Sequence, residues 1–157
     1  MTIDEYFSED LADIIDVEGG QDEFFSYIFQ KLKQKDYVEE SFFDALKERE
    51  KDYPTGLKTH FMGVAIPHTD PQHIKKPFIF ITKLKKPIQF GQMGSVDEKV
   101  EVHYTFVLGF EKGEQQLVLL QNLMAMFSDE GTMNQLSEDV SEKEMYAIVK
   151  QYYINNG

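Results

Sequence analysis

From Asp22 onward, Phe24, Phe25, Ile28, Phe29 and Leu32 recur at three- and four-residue steps, the spacing that gathers apolar side chains on one face of a helix. Lysines collect at the end of this run, where the helix dipole favours positive charge. A second helix is predicted from about Glu39 to Lys51. Ser41 stands near its start, Phe42, Phe43 and Leu46 on its buried side, and Pro54 beyond its end. Tyr53-Pro-Thr-Gly56 then reads as a turn. Ahead of these helices, acids alternate with Leu11, Ile14, Ile15 and Val17 up to Gly19-Gly20, the pattern of an extended first strand. A short apolar run from Phe61 to Ile66 reads as a buried strand stopped by Pro67, whose ring forces the preceding residue to be extended. Further strands are predicted at Pro77–Leu84 and at Val100–Phe110, where Val102, Tyr104, Phe106 and Leu108 share one face by period two. Phe90-Gly-Gln-Met-Gly94 between them reads as a connector. From Glu114, the residues Leu117, Leu120, Leu123, Met124 and Phe127 mark a helix with a broad apolar face, expected to pack deeply. Shorter helices at about Asp129–Leu136 and Ser141–Tyr152 close the chain.

Helices interspersed with strands, with no repeat and no linker, indicate an α/β fold: one domain built on a mixed parallel and antiparallel sheet of about five strands, flanked by helices on both faces. A length of 157 residues suits one domain, and 41% hydrophobic residues can form its core without disulfides or metal. The absence of cysteine excludes a disulfide framework, a Cys-ligated zinc or iron–sulfur site and a thiol nucleophile. No apolar run approaches the roughly 20 residues needed to cross a bilayer. Met1 to Phe7 has no leader-like pattern, so a cytoplasmic protein is expected.

Net charge is −12, and residues 1–30 hold nine acids with no Lys or Arg. A nucleic-acid binder would need a basic face for phosphate contacts, and the balance argues against one; membrane-surface binding is disfavoured likewise. From Lys58 to Lys86 the trend reverses, with six lysines against Asp70, a stretch where a small anion could be welcome. The overall acidity suits steering toward a partner with a basic contact face.

Among four histidines, His60 and His73 fall in predicted loops and His103 lies out of phase with Val102 and Tyr104 on its strand. His68 differs. A buried strand delivers it to the strand's carboxyl edge, where open α/β sheets place ligands, and Pro67, Thr69 and Asp70-Pro71 stiffen the backbone around it. A reactive group there would be rigid and exposed. The alternative is a turn histidine bonded to its own loop. His68 and His73 lack the spacing of a metal pair, no Gly-x-Ser-x-Gly elbow occurs, and neither glycine-rich nucleotide loop is present. No cofactor and no metal are implied.

Gly63-Val-Ala-Ile-Pro-His-Thr69 resembles the IIA components of the mannitol/fructose class of the bacterial phosphoenolpyruvate-dependent sugar phosphotransferase system. The likeness extends to Ala45-Leu-Lys-Glu-Arg-Glu50, Lys76-Pro77, Lys86-Pro-Ile-Gln-Phe90, the Val102–Leu108 strand and the Leu117–Phe127 helix, in order, over roughly residues 8–150. Tyr53-Pro-Thr-Gly-Leu57, Pro-His-Thr-Asp70 and Phe90-Gly-Gln-Met93 look most like the galactitol branch. The resemblance implies that His68 accepts a phosphoryl group from the phosphohistidine of HPr. It then passes the group through Nε2 to a cysteine on a separate IIB component, which serves the membrane IIC component in sugar uptake. It implies that Arg49 supports the phosphoryl group, with Thr69 as a further hydrogen-bond donor. Mannitol- and fructose-type members carry a second histidine before the long helix; Gln116 stands in that place here, and glutamine can hydrogen-bond but not change charge. Transfer through Nε2 requires Nδ1 to be held by an acceptor. A regulatory IIA-like module, whose His68 phosphorylation state controls a protein partner, would carry the same motif. A metal hydrolase built around His68 has the weakest support.

Overall fold

The computed structural model describes residues 3–95 and 97–156. Five strands form one sheet in the order β1-β4-β5-β3-β2: β1 (Ala12–Ile15), β2 (Gly56–Lys58), β3 (Gly63–Ala65), β4 (Phe78–Gly91) and β5 (Lys99–Gly109). β1 runs parallel to β4 and β3 parallel to β5, while β4/β5 and β2/β3 are antiparallel, so the sheet is mixed as expected. Helices α1 (Gln21–Gln34) and α2 (Phe42–Asp52) cover one face; α3 (Gly113–Phe127), α4 (Glu130–Leu136) and α5 (Glu142–Asn156) cover the other. The domain reading of residues 1–157 extends to Met1, Thr2, Val96 and Gly157, which lie outside the described residues.

The periodicity of α1 becomes packing directly: Phe24, Phe25, Ile28 and Leu32 are buried against Phe80, Leu84 and Phe90 of β4. Gly20 precedes the helix at φ 81°, in the left-handed region that glycine enters without steric cost. In α2, Phe42 and Leu46 are buried and Phe43 is half-buried.

Four differences from the sequence pattern have physical causes. β4 continues through Lys85-Lys86-Pro87 to Gly91, because a bulge between Lys83 and Ile88 takes up the proline and the exposed lysines; the expected Phe90–Gly94 connector shrinks to a turn after Gly91. A separate irregularity in β5, where the two steps from Val102 to Tyr104 match the single step from Gly63 to Val64, sends Val102 to the α1/α2 side while Tyr104, Phe106 and Leu108 face α3 and α5, so these four residues do not share one face. The three-residue strand β2 has too little alternation to be read in sequence. Finally, α3 buries Leu119, Leu123, Met126 and Phe127 but leaves Leu117 60%, Val118 54% and Met124 43% exposed, so its apolar surface is only partly packed.

Among the described residues, no helix is long and apolar enough to cross a membrane. The lysines between Lys58 and Lys86 do not form one patch. Lys75 pairs with Asp36 at 2.9 Å, Lys76 donates to the Lys35 carbonyl, Lys83 donates to the Glu138 carbonyl, and Lys86 meets Asp16 and Glu18.

Candidate functional site

The motif Gly63 to Thr69 runs along β5. A Cβ on Gly63 would lie 2.0 Å from the Glu101 carbonyl oxygen, so only glycine lets β3 come this close to β5. Beyond β3 the chain stays extended: Leu108 donates its amide to the Pro67 carbonyl at 3.0 Å, and His68 pairs with Leu108 in a parallel bridge. Pro67 supplies a fixed φ and needs no partner for a missing N–H. His68 is thereby set beside the carboxyl end of β5.

Contrary to the expectation of exposure, His68 is buried, with 6% of its surface accessible, and its ring lies 5.9 Å from that of Phe110. Its Nδ1 lies 2.7 Å from the carbonyl oxygen of Ile66. A carbonyl only accepts, so Nδ1 carries the proton and donates it there, and Nε2 keeps its lone pair. This is the acceptor that sequence could not identify. Burial pushes the proton affinity of His68 below the usual histidine range; the bond to Ile66 opposes this, the Arg49 charge reinforces it, and Asp70 opposes it. The neutral ring is favoured.

Gln116, in the first turn of α3, brings its Nε2 to 3.5 Å from Nε2 of His68. With the ring in this tautomer, the amide is the donor and the imidazole the acceptor. Gln115 shapes the approach, its Oε1 accepting the Glu111 and Lys112 amides at 3.2 and 3.3 Å and closing the start of the helix.

Arg49 occupies the last turn of α2. Its Nη1 donates to Oδ1 of Asp70 at 3.2 Å, its guanidinium lies 5.4 Å from the centre of the Tyr53 ring, and its Nε is shut from water with no hydrogen-bond partner. The neighbouring Glu50 is buried, each carboxyl oxygen taking one bond from Thr55: the amide at 2.7 Å and the hydroxyl at 2.8 Å. Desolvation pushes that carboxyl up to about 7, against the two Thr55 bonds and the Arg49 charge. Thr69 is fully buried and its hydroxyl donates to the Asp70 carbonyl at 3.0 Å, which places it within the turn. A cavity of about 240 Å³ opens beside Arg49, Thr69 and Asp70 and is walled also by Glu48, Asp52 and Tyr53.

The fold thus gathers His68, Gln116, Arg49 and Thr69 from three separate stretches of chain. His60 and His103 are exposed elsewhere. His73 is no spectator: half-buried, it holds Ser41 Oγ through Nδ1 at 2.7 Å, tying the start of α2 to the loop after His68. Asp70, Tyr53 and Phe110 are the neighbours that sequence reasoning missed. Asp70 and Arg49 stand 21 positions apart, one in the loop after His68 and one in the last turn of α2, and no local spacing signals the pair. Among the described residues no group of three or more His, Asp or Glu side chains is placed to hold a metal ion.

Residues 5–152 match the family model described as phosphoenolpyruvate-dependent sugar phosphotransferase system, EIIA 2. The galactitol-specific EIIA component of the phosphotransferase system of Escherichia coli is 31% identical over 101 residues, covering 64% of this chain and 67% of that protein. Two solved structures share the fold. The complex of enzyme IIA and phosphorylated enzyme IIB for mannitol, from Escherichia coli, aligns with TM-score 0.68 at 17% identity over 92% of this chain and 96% of the other. The nitrogen regulatory protein IIA-Ntr of Neisseria meningitidis aligns with TM-score 0.70 at 23% identity over 94% and 98%.

Proposed function

The chain belongs to the EIIA 2 family of the phosphoenolpyruvate-dependent sugar phosphotransferase system, and from that premise we propose that it is a phosphocarrier whose acceptor is Nε2 of His68. The observation that carries this reading is the bond from Nδ1 to the Ile66 carbonyl, which leaves the opposite nitrogen unprotonated at neutral pH. The Nε2 lone pair attacks the phosphorus of a phosphohistidine on HPr. A new N–P bond forms as the old one breaks, and the bonding pair returns to the donor's nitrogen. In the second step a cysteine thiolate of a separate IIB protein attacks the same phosphorus, and the electron pair of the His68 N–P bond returns to Nε2. Such transfers depend on in-line positioning and on stabilising the equatorial oxygens.

Four groups are placed to support the phosphoryl oxygens. Arg49 carries the fixed charge and an Nε with no partner of its own. Gln116 is a neutral amide donor that must turn from Nε2 toward an oxygen as the phosphorus arrives. The first turn of α3, which Gln116 occupies, is the positive end of a helix dipole. Thr69 contributes if its hydroxyl rotates away from the Asp70 carbonyl. Around Gln116 the exposed Leu117, Val118 and Met124 form an apolar surface suited to docking HPr and IIB in turn, since α3 has spare hydrophobic area beside the reacting nitrogen. The galactitol-specific relative supports a galactitol-like sugar at the end of the chain of transfers, delivered through IIB to a membrane IIC component.

The test uses radiolabelled phosphoenolpyruvate, the general phosphotransferase enzyme, HPr and this chain. Acid-labile label on His68 is expected, with at least a thousandfold slower loading in folded His68→Ala, followed by rapid loss of label to a IIB protein encoded nearby. Label on another residue, or none, overturns the proposal. Efficient loading with no transfer to IIB would assign the chain to the regulatory alternative instead.

A further inference from the structure

We infer that Asp70 is a positioning residue that competes with the phosphoryl group for Arg49 and so sets how readily phosphorylated His68 gives its group away. The inference rests on the phosphocarrier reading above. Three observations carry it. Among the described residues walling the cavity beside Thr69, Arg49 is the one guanidinium or ammonium group, His73 adds an imidazole, and Glu48, Asp52 and Asp70 supply three carboxyl groups. Of these three, Asp70 holds the guanidinium, through a bond from Nη1 at 3.2 Å, while the buried Nε has no acceptor among the described residues. Asp70 is itself two residues from His68 and makes no side-chain cap to the helical turn that follows it, so its carboxylate is not tied up in starting that turn.

A guanidinium has five donors in a rigid fork and binds a phosphoryl dianion best through two of them at once. In the unphosphorylated chain, Asp70 keeps the fork aligned near His68. Once phosphorus is bound, the same carboxylate pulls against the phosphoryl oxygens for a shared cation and repels them directly. Both effects raise the free energy of the phosphorylated form relative to the free form. A carrier has to surrender what it accepts, and a site with an unopposed arginine would hold the group too well. Tyr53 restrains the other side of the guanidinium, so its movement between the two anions is short.

The experiment measures the equilibrium ratio of phosphorylated to free chain against a fixed ratio of phospho-HPr to HPr, by phosphorus NMR. It also measures the lifetime of phospho-His68 in buffer. Asp70→Asn is expected to shift the equilibrium toward the phosphorylated chain about fivefold, the scale of a partly exposed ion pair, and to lengthen the lifetime. Asp70→Glu should stay near wild type, and Glu48→Gln, which removes a charge from the same cavity but not from the ion pair, should move the equilibrium less than about twofold. Asp70→Ser serves as a second variant should asparagine disturb the turn, with circular dichroism confirming the fold of each. An unchanged equilibrium in both Asp70 variants, a shift toward the free chain, or an equal shift in Glu48→Gln overturns the inference. Failure of the wild-type chain to take phosphate at all overturns the phosphocarrier reading itself, and is seen before any variant is compared.

Discussion

Glu50 is the residue whose chemistry departs furthest from its surroundings. Its carboxyl is buried at the end of α2 and clasped by the amide and hydroxyl of Thr55, a bond set that fixes the turn carrying Tyr53 and Pro54 next to Arg49. Because burial raises this group from an ordinary value of 4.5 to about 7, the folded chain keeps a proton that the unfolded chain releases between those two values. Stability from this site is therefore fully present below about pH 4.5 and is lost as pH rises through about 7, by an amount on the order of 3 kcal/mol. Urea denaturation from pH 5 to 8 should show that decline in the wild-type chain, and a much flatter profile in Glu50→Gln, whose amide oxygen can accept the Thr55 amide while its NH2 donates to the hydroxyl. A wild-type profile as flat as that of the variant would contradict the assignment. The places of His68, just past a buried strand, and of Arg49, near the end of a helix, were legible in the sequence from the strand-proline setting and the helical period. The Glu50 clasp and the Arg49–Asp70 pair were not, because their energies come from burial and from contacts across loops, which no local spacing encodes.

At the scale of elements, α1 was readable because Phe24, Phe25, Ile28 and Leu32 are all buried and Phe29 packs on Phe43 of α2, whereas α3 was readable only in part. Periodicity tells which residues of a helix share a face, and nothing of how much of that face a neighbour covers. The two kinds of apolar position on α3 should respond oppositely. Leu123→Ala, at a site with no exposure, is expected to cost about 3 kcal/mol in thermal or denaturant unfolding. Leu117→Gln, at a site 60% exposed, is expected to leave stability within about 0.5 kcal/mol. The same substitution should raise the KM for protein phosphodonor or acceptor several-fold at unchanged kcat, since it alters docking and not the reacting nitrogen. Loss of stability in Leu117→Gln would mean that α3 is packed on that side after all. The bulges in β4 and β5 lay beyond sequence reading for a related reason: they depend on how two strands meet, and Val102 changes face because β5 takes two steps to Tyr104 where β3 takes one from Gly63 to Val64.

For the molecule as a whole, both apolar clusters use the same two central strands: Ile79 and Ile81 face one, Phe78 and Phe80 the other. Neither layer of helices can detach without exposing a face of β4 and β5. Calorimetry should therefore find one two-state transition, with an enthalpy of roughly 110 kcal/mol near 60 °C; two resolved transitions would refute a single cooperative unit. Charge is distributed to the same end. Of the nine acids that make the first 30 residues look unbalanced, Asp4, Asp10, Asp13, Asp16, Glu18 and Asp22 each lie within ion-pair reach of a lysine elsewhere in the chain. That acidity straps the opening segment to the fold, and the exposed acids Glu48, Asp52, Glu111 and Glu114 give the surface near His68 its own negative charge. One further contact lies at the edge of the sheet. Glu142, opening α5, takes the Ile14 amide at 2.9 Å on the outer flank of β1. A carboxylate parked there occupies an edge amide and sets a negative charge on that border of the sheet, which disfavours strand-to-strand pairing with another chain along β1.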